Sequence, residues 1–153
     1  MERLHFEDFA PGEFAEYGDY AVTAAEIVEF ARDFDPQPFH LDASAARDTF
    51  AGGLIASGWH TACLLMRMNC EGFLNRSTSQ GGPGVDELAW LKPVRPGDRL
   101  RVRRTTLSAR ASRSRPTLGL VAFAFEVLNQ DGEIVMRQKN SVFFLRRSTA
   151  ASP

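Results

Sequence analysis

The sequence lacks several features by which whole classes of protein are recognised. It has two cysteines and three histidines in 153 residues, and these do not cluster with carboxylates in a metal-ligand pattern. Its longest uncharged run, 50–66, is shorter than the roughly 20 apolar residues of a membrane-spanning helix. The N-terminus has no apolar segment of the signal-peptide type. We therefore expect no metal site, no membrane span and no export signal.

An excess of charge of one sign is also lacking. The formal net charge is −1, which argues against a dedicated nucleic-acid-binding protein. With 44% hydrophobic and 24% charged residues, the composition is that of an ordinary globular protein. This length suits one core, so we predict a single domain over 1–153 whose last few residues form a flexible tail.

The two cysteines, Cys63 and Cys70, lie in a segment predicted to be helical. Seven residues of helix rise about 10 Å, which is too far for a disulfide bond. Buried free thiols in a reducing compartment are the simplest interpretation. A cytoplasmic location is therefore expected.

Local patterns predict an α+β fold with about five antiparallel strands. A strand over Phe14–Val22 is followed by a capping box of Thr23 and Glu26 and by a helix over 24–34. A second helix, from about Ser57 to Gly72, is apolar around most of its circumference, and such a helix is normally wrapped by other structure. The remaining strands are predicted over Leu88–Leu91, Arg99–Ser108, Thr117–Leu128 and Ile134–Leu145. The economical packing curls the sheet around the second helix.

The candidate catalytic residues are Asp35 and His40, which stand in the segment Asp-Pro-Gln-Pro-Phe-His-Leu-Asp. Asp35 lies at the C-terminal end of the first helix, where the helix dipole disfavours a carboxylate. His40 can exchange protons near neutral pH, and the two prolines between the pair restrict its geometry. The alternative is that the two side chains only cap a turn.

Three segments carry a resemblance to a known family. The segment from Asp35 to Asp42 resembles the Asp-x-Asn-Pro-x-His-x-Asp signature of MaoC-type hydratases. Phe-Ala-Gly-Gly-Leu-Ile-Ala-Ser-Gly, ending at Gly58, is similar to that family's lead into its central helix. Leu-Lys-Pro-Val-Arg-Pro-Gly-Asp, ending at Asp98, is similar to a later strand and turn. The resemblance implies the hot-dog fold, a sheet wrapped around a long central helix.

The resemblance also implies roles for individual residues. Asp35 and His40 would hold a water molecule that adds to the β-carbon of a 2-enoyl thioester, giving a 3-hydroxyacyl thioester. Backbone amides at a helix N-terminus suit the enolate-like oxygen, and Gly58 is the chosen donor, with a packing glycine as the alternative. Ser57 caps the helix or touches substrate. Gln37 stands where the family usually has Asn, and Ser57 where many members have His.

Two other functions stay open. One is a hot-dog thioesterase, although the only carboxylate of the central helix, Glu71, lies near its far end. The other is an acyl-thioester-binding domain without turnover. The expected partners are an acyl-CoA or an acyl carrier protein thioester and a second copy of the chain, with coenzyme A entering only as part of the substrate and no other cofactor. A run of arginines near Arg99 and Arg103 forms either a solvated strand face or a rim for phosphates. Three aromatic residues belong either to an acyl tunnel or to the core: Phe39, Trp59 and Phe73.

Overall fold

A five-stranded antiparallel sheet is the main element of the fold. In the computed structural model, which describes residues 2–148, the strands follow the spatial order β1-β3-β4-β5-β2. Their bounds are β1 Phe14–Ala21, β2 Val85–Trp90, β3 Arg99–Ala111, β4 Leu118–Leu128 and β5 Ile134–Leu145. The predicted α+β architecture is confirmed, while the predicted flexible tail lies outside the described residues.

In the described residues, four α-helices accompany the sheet: α1 Ala24–Phe34, α2 Pro38–Leu41, α3 Ala43–Arg47 and α4 Gly58–Gly72. Along β4, side chains alternate between the interior and the outer face, and Val121, Phe123 and Phe125 are at most 1% exposed. Leu65 and Met68 of α4 belong to the same core. The central helix therefore packs against the inner face of the sheet, as expected.

The first helix begins and ends where the sequence predicts. The Thr23 side chain accepts a hydrogen bond from the Glu26 N–H, and the Glu26 carboxylate accepts one from the Thr23 N–H. At the other end α1 stops at Phe34, because the backbone of Asp35 leaves the helical region ahead of Pro36. This termination fixes where the Asp35 carboxylate lies.

The sequence predicts that α4 is wrapped by other structure, and the structure confirms this for one face of the helix only. Trp59 and Met66 are exposed, as is Cys63, while Cys70 is only partly buried. Both cysteines are free, but the prediction that both are buried fails for Cys63. One sheet covers one face of a helix, so the opposite face of α4 stays uncovered in a single chain. Within residues 2–148, no helix is long and apolar enough to cross a membrane.

Candidate active site

A cavity of about 500 Å³ opens where α1 ends, α2 passes and α4 begins. Asp35, Gln37 and His40 line it on one side, and Gly58 and Thr61 line it from the first turn of α4. The rest of the lining is mostly apolar and comes from Phe39, from the segments 50–59 and 90–94 and from Val135. An apolar cavity with a few convergent polar groups is the usual form of a small-molecule site.

His40 is buried, and one hydrogen bond determines which of its ring nitrogens carries the proton. Its Nδ1 lies 2.7 Å from the carbonyl oxygen of Ile55. A carbonyl only accepts hydrogen bonds, so Nδ1 must be the protonated nitrogen of the neutral ring. The lone pair is then on Nε2, which lies 3.3 Å from Oδ2 of Asp35. The geometry makes Nε2 the basic atom of the site.

Asp35 is held as a carboxylate by two donors. The Gln37 side-chain amide donates to Oδ1 at 2.7 Å, and the Ser57 hydroxyl donates to Oδ2 at 2.7 Å. Partial burial raises the pKa of Asp35, but the hydrogen bonds from Ser57 and Gln37, with a smaller contribution from His40, outweigh it and hold the pKa below its usual value. Asp35 is therefore ionised at neutral pH.

When His40 is neutral, its Nε2 and the Oδ2 of Asp35 are both hydrogen-bond acceptors, and they lie 3.3 Å apart. Such a contact is unfavourable unless a hydrogen is shared between the atoms or a small donor binds both of them. A water molecule has two hydrogens and can donate to Nε2 of His40 and to Oδ2 of Asp35 at once. The pair is therefore suited to binding and deprotonating a hydroxyl group.

Gly58 occupies the first position of α4, where a helix leaves its N–H groups unpaired. Among residues 2–148, the Gly58 N–H has no hydrogen-bond acceptor. A Cβ atom at this position would overlap the indole ring of Trp90. Close packing therefore requires glycine here, and the same residue leaves a free amide at the cavity wall.

The other residues singled out in the sequence divide between cavity and interior. Gln37, Phe39 and Trp59 line the cavity. Phe73 is 1% exposed and belongs to the core. Ser57 is fully buried and is not part of the cavity lining. Its hydroxyl accepts from the Trp59 N–H at 3.3 Å and donates to Asp35, so its contacts are with the helix and the carboxylate.

Sequence reasoning missed the contribution of the segment 90–94. Trp90 packs on Gly58, and its ring meets that of Trp59 edge to face at 5.1 Å. No local sequence pattern predicts the contact of Trp90 with Gly58, because this contact depends on the pairing of β2 with β5. The Lys92 ammonium, which also lines the cavity, forms an ion pair with Glu133.

The arginine run forms an ion-paired strand face. Arg99 binds Asp19 and Arg103 binds Glu126, and neither arginine lines the cavity. Both side chains are therefore held in ion pairs, and the choice between a solvated face and a rim for phosphates stays a prediction. In the described part of the chain, no group of three or more His, Cys, Asp or Glu side chains is arranged to hold a metal ion.

Comparisons with known proteins agree with this fold. Residues 8–122 match the family model described as MaoC like domain. A MaoC-like dehydratase from Rhodospirillum rubrum is 46% identical in sequence and superimposes with a TM-score of 0.87, over 94% of this chain and 98% of that one.

Two further proteins are more distant. The uncharacterized protein YdeM of Bacillus subtilis (strain 168) is 26% identical over 143 residues, which is 94% of this chain and all of that protein. The (R)-hydratase PhaJ1 of Pseudomonas aeruginosa shares 23% identity and a TM-score of 0.76, over 94% of this chain and 87% of that one. At 23% identity, the similarity to PhaJ1 shows that the two chains share a fold and nothing more.

Proposed function

Because this chain belongs to the family of MaoC-like domains, we propose that it catalyses the reversible addition of water to a 2-enoyl thioester. The product is a 3-hydroxyacyl thioester, and dehydration is the reverse reaction. One observation supports the proposal most directly: Nε2 of His40 and Oδ2 of Asp35 lie 3.3 Å apart in the cavity wall. Hydration needs a base next to a bound water molecule, and this pair is suited both to binding the water and to deprotonating it.

In the proposed mechanism His40 is the base. A water molecule donates to His40 Nε2 and to Asp35 Oδ2, and Nε2 takes one of its protons as the oxygen bonds to the β-carbon. Asp35 stays ionised, because Ser57 and Gln37 stabilise the carboxylate, and it stabilises the imidazolium that forms. The α-carbon then takes a proton from the imidazolium, so one water is added and His40 is restored.

The charge that develops on the thioester oxygen requires a donor of its own. In the proposal the Gly58 N–H donates to this oxygen from the first turn of α4. The proposed carrier of the acyl group is coenzyme A, and acyl carrier protein is the alternative that a comparison of kcat/KM tests. A cytoplasmic location stays a prediction, which cell fractionation tests.

Hydrolysis of the thioester is the competing reaction. It would need a carboxylate on the central helix itself, and Glu71 of α4 is exposed, paired with Arg67 and absent from the cavity lining. Hydration is therefore the better-supported reaction for this cavity.

We also propose that the chain acts as a homodimer. β2 is an edge strand with β5 as its neighbour, so one row of its backbone groups is unpaired in the sheet. Three large apolar side chains of β2 and α4 are about half exposed: Val85, Trp90 and Met66. A second copy pairing along β2 would cover this apolar surface. Sedimentation equilibrium should give twice the chain mass, and a mass equal to that of the chain would contradict the proposal.

The test of the reaction is the hydration of enoyl-CoA esters, followed as the loss of enoyl absorbance. Wild type should turn over, and Asp35→Asn should lower kcat/KM by about 100-fold or more, because the imidazolium that forms at His40 would lose the negative charge that stabilises it. The matched control is Asp33→Asn, which alters an exposed carboxylate two residues away and should leave the rate unchanged.

Two other outcomes would move the assignment. Release of free thiol without hydration would identify a thioesterase. Tight binding of acyl-CoA without turnover, unaffected by Asp35→Asn, would identify a binding domain.

A further inference from the structure

We infer that the hydroxyl group of Thr61 is a second hydrogen-bond donor to the thioester oxygen, acting together with the Gly58 N–H. The inference rests on the proposed function, because it takes the ligand to be an acyl thioester. Thr61 lies in the first turn of α4, is 3% exposed and lines the cavity. A buried hydroxyl group is costly unless it has a hydrogen-bond partner.

The Thr61 hydroxyl differs from those of the other buried threonines. Three threonines are buried within residues 2–148: Thr61, Thr78 and Thr106. The Thr78 hydroxyl donates to the Leu4 carbonyl at 3.1 Å, and the Thr106 hydroxyl donates to the Glu13 carboxylate at 3.4 Å. The Thr61 hydroxyl forms no hydrogen bond with any described residue. Its donor is therefore free to bind a ligand.

This free hydroxyl opens to the cavity. In the described part of the chain, the buried side-chain atoms that lack a partner and are sealed from solvent belong to His60, Arg104 and Arg146. The Thr61 oxygen is not among them, so it still meets solvent. Because Thr61 is otherwise buried and lines the cavity, it meets solvent there.

The geometry of α4 brings the Thr61 hydroxyl close to the Gly58 N–H. Residues three positions apart lie on the same face of a helix. Helical side chains lean toward the N-terminus, so the Thr61 side chain lies over the turn that contains Gly58. A helical threonine can donate to the carbonyl four residues earlier, but here the Ser57 carbonyl accepts from the Thr61 N–H, at 3.1 Å. The two free donors therefore share one wall of the cavity.

The thioester oxygen suits this donor better than the attacking water does. In the proposed mechanism the water donates its hydrogens to His40 and Asp35, and a donor to the water oxygen would withdraw electron density from the atom that attacks the β-carbon. A hydrogen bond to the thioester oxygen instead strengthens as negative charge develops there. Thr61 keeps its proton throughout, so the reaction gains no further step.

The first test compares three variants with the same enoyl-CoA ester. Thr61→Val keeps the branched shape without the hydroxyl, so kcat should fall about 100-fold, as for the loss of one oxyanion donor, with KM within a few-fold of wild type. Thr61→Ser keeps the hydroxyl and should retain most of kcat. The matched control is Thr106→Val, the same change at a buried threonine outside the cavity lining, which should leave kcat unchanged. A packing role predicts the reverse order, with the valine variant active and the serine variant impaired.

The second measurement does not depend on turnover. Butanoyl-CoA has no double bond to hydrate, and its thioester carbonyl can be labelled with carbon-13 and followed by infrared spectroscopy. The carbonyl stretching frequency should be lower on wild type than in free butanoyl-CoA, because hydrogen bonds weaken the C=O bond. Thr61→Val should lose part of this shift, and Thr61→Ser should keep it. Should Thr61→Val fail to fold, Thr61→Ala and Thr61→Ser form a second pair that differs only in the hydroxyl.

A carbonyl frequency or a kcat that stays at the wild-type value in Thr61→Val would overturn the inference, and hydration by wild type would then leave the proposed function standing. A carbonyl shift that depends on the Thr61 hydroxyl, without hydration of any enoyl ester, would support the inferred donor and overturn the proposed function. Absence of both butanoyl-CoA binding and hydration would overturn both.

Discussion

The protein contains two histidine–carboxylate pairs with the same separation and different surroundings. His40 Nε2 lies 3.3 Å from Asp35, and His60 Nε2 lies 3.3 Å from Glu26. The two carboxylate side chains are similarly accessible, at 17% and 22%. Each carboxylate also accepts hydrogen bonds on both oxygens. Distance and burial alone would rank the pairs as equals.

The other ring nitrogen distinguishes them. His40 Nδ1 donates to the Ile55 carbonyl, so the proton is on Nδ1 and the lone pair on Nε2 faces Asp35 at the cavity wall. His60 Nδ1 is buried and has no hydrogen-bond partner. The proton of neutral His60 is therefore best placed on Nε2, where it is donated to Glu26.

The His40–Asp35 pair therefore presents a base, whereas the His60–Glu26 pair connects two helices. The lone pair of His60 points into the interior, where no substrate can reach it, and its ring stacks on Phe30 of α1 at 4.7 Å. The Glu26 carboxylate also caps α1 through Thr23. The second pair therefore joins α1 to the first turn of α4 and stabilises the frame that holds Asp35.

The largest expected difference between the pairs is in catalysis. His40→Gln should lower kcat/KM by about 100-fold or more, because it removes the base. His60→Gln keeps a side-chain N–H that can donate to Glu26, so its activity should stay within a few-fold of wild type. Both rates are measured with the same enoyl-CoA ester. Equal losses of kcat/KM in the two variants would mean that the different tautomers of His40 and His60 do not give the two pairs different roles.

A smaller difference is expected in the pH dependence of stability. Burial lowers the pKa of His60 below its ordinary 6.5, although Glu26 acts in the opposite direction. A depressed folded-state pKa means that the unfolded chain binds the proton more readily. The stabilisation from neutral His60 is therefore present above pH 6.5 and is lost as the pH falls from there through the folded-state pKa.

Urea unfolding between pH 5 and 8 tests this expectation. Wild type should lose free energy of unfolding toward pH 5 more steeply than His60→Phe, which keeps a ring against Phe30 and cannot titrate. Parallel pH profiles for the two proteins would show that His60 does not have a depressed pKa.

The smallest expected effect concerns the support of Asp35. Ser57→Ala removes one donor from the carboxylate, so the pKa of Asp35 should rise toward its usual value. The pKa of Asp35, followed by carbon NMR of its labelled carboxyl group, should be higher in Ser57→Ala than in wild type, with a smaller rate loss at neutral pH than His40→Gln gives. An unchanged pKa of Asp35 would show that Ser57 acts only as the cap of α4.

Local sequence patterns predicted the elements that depend on neighbouring residues. The capping box of Thr23 and Glu26 and the bounds of α1 and β5 follow from contacts within a few positions. The juxtaposition of Asp35 and His40 belongs to the same group, because prolines restrict the backbone between them. In each case the information lies within one turn or one strand.

Contacts between distant segments needed the tertiary structure. Ser57 reaches Asp35 across 22 positions of sequence, and Trp90 reaches Gly58 because β2 pairs with β5. The exposure of Cys63 was mispredicted because an apolar helix does not reveal how many of its faces a single sheet covers.

By itself the sequence determined the α+β class, the bounds of α1 and β5 and the segment that holds the acid/base pair, because hydrogen-bond periodicity, capping and proline act over short range. Only the tertiary structure decided which nitrogen of His40 is basic and what holds Asp35 ionised. These properties depend on the Ile55 carbonyl and the Ser57 hydroxyl, which folding alone brings to the site.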